Sequence, residues 1–164
     1  MTATTLLGTV SRALAAVHLE RTVATDIETV WAAWTDPDRM ARWLAPVASG
    51  TPGPSSTFVL QMDADEAVVC TATRWEPPRL LELTWDYPGE GSSRLRVELT
   101  ATGDGTTALV LDHDRLDDAD PVDYGAGWHV ELEYLDAYLN GTAKPDFDER
   151  YAQLRPAYEA AAAT

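Results

Sequence analysis

VHLERTVATDIETVWAAWTDPDRMARWL, residues 17–44, changes its hydrophobic period twice. From Val17 to Val23 apolar and polar residues alternate, the pattern of a strand with one buried face. From there Ile27, Val30, Trp31 and Trp34 fall at i, i+3, i+4 and i+7, which places them on one face of a helix. Thr25-Asp26-Ile27-Glu28 has the spacing of a capping box, with Thr25 as N-cap and Glu28 as its reciprocal partner. Asp36-Pro37 starts a second helix, Asp as N-cap and Pro at the first helical position. Met40, Trp43 and Leu44 form its apolar stripe. The opening order is strand, helix, helix.

Downstream of this stretch, Pro46 to Ser56 is rich in Gly, Pro, Ser and Thr and reads as a loop. Strand-like runs follow at Phe58–Met62, Ala67–Trp75 and Leu80–Tyr87. Leu95, Val97 and Leu99 alternate with Arg94, Arg96 and Glu98, a strand wet on one face. Gly103-Asp104-Gly105-Thr106 is a hairpin connection, because Asp-Gly tolerates the positive φ of tight turns. Leu109, Leu111 and His113 lie on the return strand. Connections this short make the strands antiparallel. Asp120-Pro121 then opens the longest helix, on which Trp128, Leu132, Leu135 and Leu139 form a stripe and which Asn140-Gly141 stops. Phe147, Tyr151, Leu154 and Tyr158 keep helical spacing in a tail that Pro156 interrupts. One short helix or two pieces are expected there, packed on the domain.

The chain of 164 residues is long enough for one domain with a real core. Twelve basic against 27 acidic residues give a formal net charge of −15. That charge disfavours nucleic acid, whose binding depends on Lys and Arg neutralising phosphates, and an anionic membrane surface for the same reason. No run approaches the roughly 20 apolar residues of a membrane span, and the first fifteen residues do not read as a signal peptide. A single cysteine, Cys70, forms no internal disulfide, so a cytoplasmic location is expected.

Several segments are also similar to a known family. Glu20-Arg21-Thr22-Val23, Val30 to Pro37 and Ala41-Arg42-Trp43-Leu44 resemble the opening of the START-like (SRPBCC, Bet v 1-like) superfamily. Trp75-Glu76-Pro77-Pro78-Arg79-Leu80-Leu81, Leu83-Thr84-Trp85, Gly127-Trp128-His129 and Leu135 to Leu139 resemble its branch named after the activator of the 90-kilodalton heat-shock protein's ATPase (AHSA-type). The resemblance implies an α+β helix-grip fold, a curved antiparallel sheet wrapped around the long C-terminal helix. The expected division is a domain over residues 1–141, with its core at 17–141, and a helical tail over 142–164.

Such a fold implies a cavity between the concave sheet and the long helix. Trp43, Trp75, Trp85, Tyr87, His113 and Trp128 are the candidates to line it, although each is also explained as ordinary core. If a reaction is catalysed, His113 is the candidate acid–base group, flanked by Asp112 and Asp114 on the opposite strand face. His129 and Glu133 are i, i+4, which equally describes a solvent-facing pair. Cys70 reads as a small buried hydrophobe. No metal-ligand spacing, phosphate-binding loop, nucleophile elbow or dinucleotide fingerprint is present, so neither metal nor cofactor is expected. The acidic run from Asp112 to Asp123 lacks the central Gly and terminal Glu of an EF-hand.

Three functions fit these features. The first is a binding protein for a small hydrophobic or amphipathic molecule. The second is a cyclase- or aromatase-type enzyme, which requires an acid or base facing the cavity. The orientation of His113, Glu131, Glu133 and Tyr134 decides between these two. The third is a co-chaperone-like interaction domain, with which a homodimer formed through the tail would belong.

Overall fold

The computed structural model describes residues 6–162, which leaves Met1–Thr5 and the last two residues of the tail outside the described residues. Eight strands form one antiparallel sheet in the order β1-β2-β8-β7-β6-β5-β4-β3. They are β1 (Thr9–Ser11), β2 (Ala16–Val23), β3 (Val47–Gly50), β4 (Thr57–Asp63), β5 (Glu66–Glu76), β6 (Leu80–Asp86), β7 (Ser92–Gly103) and β8 (Thr106–Asp114). Helices α1 (Ile27–Thr35) and α2 (Pro37–Trp43) carry the chain from β2 to β3 on the opposite edge. Helix α3 (Pro121–Asn140) packs on the sheet, and α4 (Phe147–Ala162) packs on α3 and β1. The protein is therefore an α+β helix-grip fold.

Alternation on the strands builds the core. Leu95, Val97 and Leu99 of β7 face Leu109 and Leu111 of β8 inside, while Arg94 pairs with Asp114 outside. Asp104 and Gly105 both have positive φ at the hairpin tip, 55° and 71°, the geometry that Asp-Gly favours. Asp36 caps α2 by accepting the Asp38 N–H at 3.0 Å, with Pro37 next. Asp120 caps α3 in the same way through Val122. Gly141 ends α3 at φ 65°, and Thr142 N–H bonds back to the Ala137 carbonyl.

Two local expectations are corrected, the N-cap of α1 and the loop before β4. The N-cap of α1 is Asp26, whose carboxylate accepts the Thr29 N–H at 2.8 Å, rather than Thr25. Thr25 is tied to the sheet instead, its carbonyl accepting the Thr107 hydroxyl at 2.8 Å. The loop expected from Pro46 to Ser56 contains β3, an edge strand. There Gly50 adopts φ 75°, and a Cβ would stand 2.4 Å from the Thr57 carbonyl oxygen. Ahead of the core expected from residue 17, Thr9–Ser11 add β1 to the sheet edge. The tail forms one helix that runs through Pro156. An interior proline costs about 3 kcal/mol, and burial of Leu154 and Tyr158 against Val122, Ala126 and Val130 of α3 offsets it. Phe147 and Tyr151 also pack within the chain. Among the described residues no helix is long and apolar enough to cross a membrane.

Candidate functional site

Helix α3 presents two stripes toward the sheet. Trp128, Leu132 and Leu135 are buried in the core. Tyr124, Gly127, Trp128 and Glu131, spaced i, i+3, i+4 and i+7, form one wall of a cavity of about 220 Å³. Met62 of β4, Trp85 of β6 and Tyr87 just beyond it form the opposite wall. Glu90 closes one side, Asp123 lies on the first turn of α3, and Phe147 approaches from α4. A Cβ built on Gly127 meets nothing within 4 Å, so this glycine leaves the hollow open.

Among the described residues five aromatic side chains and three carboxyl groups line the cavity, and no Lys, Arg or His does. The three carboxyls differ. Asp123 accepts the Arg155 guanidinium at 2.7 Å and the Tyr151 hydroxyl at 3.0 Å. Glu90 accepts the Tyr124 hydroxyl at 2.7 Å. Glu131 has a buried Oε2 without a hydrogen-bond partner. Burial raises its carboxyl to about 8, against a weaker opposing effect from Lys144. At neutral pH it is mostly protonated.

The structure divides the six candidate lining residues. Trp85, Tyr87 and Trp128 stand in the cavity wall. His113 lies behind Trp128: its Nδ1 accepts the Trp128 indole N–H at 3.0 Å, and its Nε2 meets Ser93 Oγ at 2.7 Å. Ser93 lies 3.2 Å from the Trp85 carbonyl. With Nδ1 accepting, the proton sits on Nε2, and the chain Trp128–His113–Ser93–Trp85 is closed. Burial holds the His113 imidazole down at about 3, so it stays neutral. Both nitrogens are engaged, and His113 is neither a lining residue nor an available base. Trp43 is also core: its indole donates to the Ala33 carbonyl at 2.7 Å and its ring meets Trp34 edge-on at 4.7 Å. Trp75 packs edge-on against Trp31, centroids 5.5 Å apart, away from the cavity.

His129 corrects the solvent-facing reading. It is 3% exposed beneath α4, where Nδ1 meets the Tyr158 hydroxyl at 2.7 Å, and that oxygen accepts the Gly8 N–H at 2.8 Å. Burial first, then Arg21, lowers its imidazole to about 4. Glu133 takes both ends of the Arg150 guanidinium. A larger hollow of about 720 Å³ runs beside this pair along β2 and the C-terminal half of α3. Because Glu133 and Arg150 already satisfy each other, this hollow has no carboxyl comparable to Glu131. Cys70 is buried on β5 and its thiol is pushed up to about 12, chiefly by burial, so it is not a nucleophile at neutral pH. Among the described residues no cluster of three or more His, Cys, Asp or Glu has metal-binding geometry.

In the sequence Glu131 stands only among the residues whose orientation decides between binding and catalysis, and Tyr124 and Gly127 are not among the six candidate lining residues. The signal was present: both lie on the helical stripe of Trp128 and Glu131.

A fold that grips one helix in a curved sheet, with an aromatic hollow beside that helix, defines a class of helix-grip proteins. Residues 24–140, more than half of the chain, match the family model described as Activator of Hsp90 ATPase homolog 1-like protein, and the chain belongs to that family. Among solved structures it is similar to CalU16 from Micromonospora echinospora, with 26% identity over 91% of this chain and 89% of that one and a TM-score of 0.78. It is also similar to the protein encoded by gene BPP1335 of Bordetella parapertussis, with 32% identity, coverage of 97% and 94%, and a TM-score of 0.72. DynU16, from the dynemicin biosynthetic locus, shares the fold at 22% identity over 81% of this chain and 50% of its own, with a TM-score of 0.71. No functionally curated protein matches the chain.

Proposed function

We propose that this protein binds a small, largely apolar molecule in the cavity between β4, β6 and α3, and that Glu131 receives the ligand's polar group. The observation that carries this reading is the Glu131 carboxyl, set in an aromatic wall with one oxygen unpartnered. A buried polar group without a partner costs about 1–3 kcal/mol, and a ligand that bonds to it recovers that free energy. The aromatic walls supply the apolar contact. Native mass spectrometry of the purified protein, followed by denaturation, tests the reading. A stoichiometric small molecule, absent from a Gly127→Leu variant whose side chain fills the hollow, is the expected result. A molecule retained equally by Gly127→Leu would place the ligand elsewhere.

Glu131 also favours a second reading, a cyclase-type enzyme. A carboxyl held near neutrality can give or take a proton at the ligand's reacting atom. In that case Glu131→Gln abolishes turnover of the molecule while retaining its binding. The co-chaperone-like reading rests on the family likeness. The exposed large apolar residues that the structure offers it are Leu6, Leu7 and Leu14.

A further inference from the structure

We infer that the ligand of this cavity is a cation, an amine or quaternary ammonium carried on an apolar body. The inference deepens the binding reading above and rests on it.

It follows from how the cavity's charges are compensated. Arg155 already neutralises Asp123. Glu90 is held by a phenol, Tyr124, and no cation of the protein bonds to it among the described residues. Glu131 has no hydrogen-bond partner at Oε2, and the charge nearest in effect, Lys144, acts on it only through space. Lys144 itself sits over the Tyr134 ring, its Nζ 5.1 Å from the centroid. The walls thus hold two carboxyls without a cationic partner and no basic side chain.

Each ligand class meets this wall differently. An anion finds no positive group and approaches Glu90 in a molecule of net charge −15. A neutral hydrocarbon leaves the Glu131 oxygen unpaired. An ammonium meets the negative faces of aromatic rings, from Trp85, Tyr87, Tyr124, Trp128 and Phe147, and also meets the two carboxyls. Its arrival favours ionised Glu131, so the carboxyl releases its proton to solvent as the cation enters. Lys144 and Tyr134 act on it from outside the lining, and Glu90, Asp123 and the cavity phenols Tyr87 and Tyr124 are the other titratable groups around it. The two phenols are pushed above their ordinary range, mainly by burial, and stay protonated.

Three matched probes test this: benzyltrimethylammonium, its uncharged carbon isostere neopentylbenzene, and phenylacetate. Binding is read by quenching of the Trp85 and Trp128 fluorescence and by ligand NMR. The ammonium is expected to bind about tenfold more tightly than the isostere, the range of a desolvated cation–π contact. Its affinity should rise with pH by up to about tenfold per unit until Glu131 is ionised near pH 8. Glu131→Gln should remove the pH dependence and most of the preference while neopentylbenzene still binds. If that variant does not fold, the pH dependence of the natural chain still decides. Equal or tighter binding of neopentylbenzene or phenylacetate overturns the amine inference and leaves the binding reading standing. If none of the three quenches the tryptophans at millimolar concentration, both fall.

Discussion

Gly125 and Gly127 are two residues apart on α3 and face opposite worlds. A Cβ on Gly125 would stand 2.6 Å from Val10 Cγ2 and 3.1 Å from the Tyr158 ring, whereas one on Gly127 would touch nothing. The first glycine lets α4 and β1 approach the helix, and the second keeps a hollow open. Polar groups divide in the same way. On the tail face His129, Tyr158 and Gly8 form a hydrogen-bonded chain, and Glu133 holds Arg150. On the cavity face the half-buried Glu131 has one oxygen, Oε2, buried without a partner. Hydrogen bonds and ion pairs close the tail face, whereas the cavity wall keeps two buried atoms without a partner, Glu131 Oε2 and Trp85 Nε1; Trp34 Nε1 and Asp86 Oδ1 are the others among the described residues.

The largest test of this contrast is Trp128→Ala. Trp128 is 4% exposed, lies 5.5 Å from Trp85 and 6.1 Å from Trp34 by ring centroids, and donates to His113. Although it borders the hollow, it packs as core, and its truncation should cost about 3–5 kcal/mol in urea unfolding. A cost near 1 kcal/mol would show that its wall of the cavity is loose.

pH separates the two faces by sign. Burial raises the Glu131 carboxyl from an ordinary 4.5 to about 8, so its contribution to stability is complete below pH 4.5 and is lost as pH rises through about 8. The His129 imidazole is lowered from 6.5 to about 4, so its contribution is complete above pH 6.5 and is lost as pH falls through about 4. Glu131→Gln should therefore equal the natural chain in stability near pH 4.5 and exceed it by a few kcal/mol at pH 8.5. Unfolding midpoints at several pH values measure the gap. A gap independent of pH would mean that Glu131 is solvated.

The smallest effects come from the glycines themselves. Gly125→Ala overpacks the tail interface and should destabilise by about 1–3 kcal/mol. Gly127→Ala meets only open space and should stabilise the helix by about 0.5–1 kcal/mol. Thermal unfolding of the two variants gives shifts of opposite sign. Shifts of the same sign would erase the distinction between the faces.

The parts of this fold that were legible in the sequence are those governed by local chemistry. Asp36-Pro37, Asp120-Pro121 and Asp104-Gly105 specify their caps and turn within a few residues, and strand alternation fixes which faces are buried. Edge strands β1 and β3 were not legible, because each is a short segment that becomes a strand only by pairing with β2 or β4. Nor was the burial of His129, since the element that covers it, α4, lies outside the region resembling the family. Of the six candidate lining residues, three were legible as cavity wall. Aromatic periodicity pointed to Trp85, Tyr87 and Trp128, while Trp43, Trp75 and His113 share the same signature and are core. A glutamate on an amphipathic helix reads as solvent-facing, and only the sheet opposite Glu131 shows otherwise.

The hydrogen bond from Gly8 to Tyr158 spans 150 residues of sequence, and the ion pairs of Arg12 with Asp120 and Glu159 span 108 and 147. Contacts of such long range carry a high loop-closure entropy and are rewarded late in folding. During synthesis the tie between β1 and α4 therefore forms only after α4 has left the ribosome, although β1 can pair with its neighbour β2 before then. In the finished molecule the same latch ties β1 to α4, and the other described elements lie between those two in sequence.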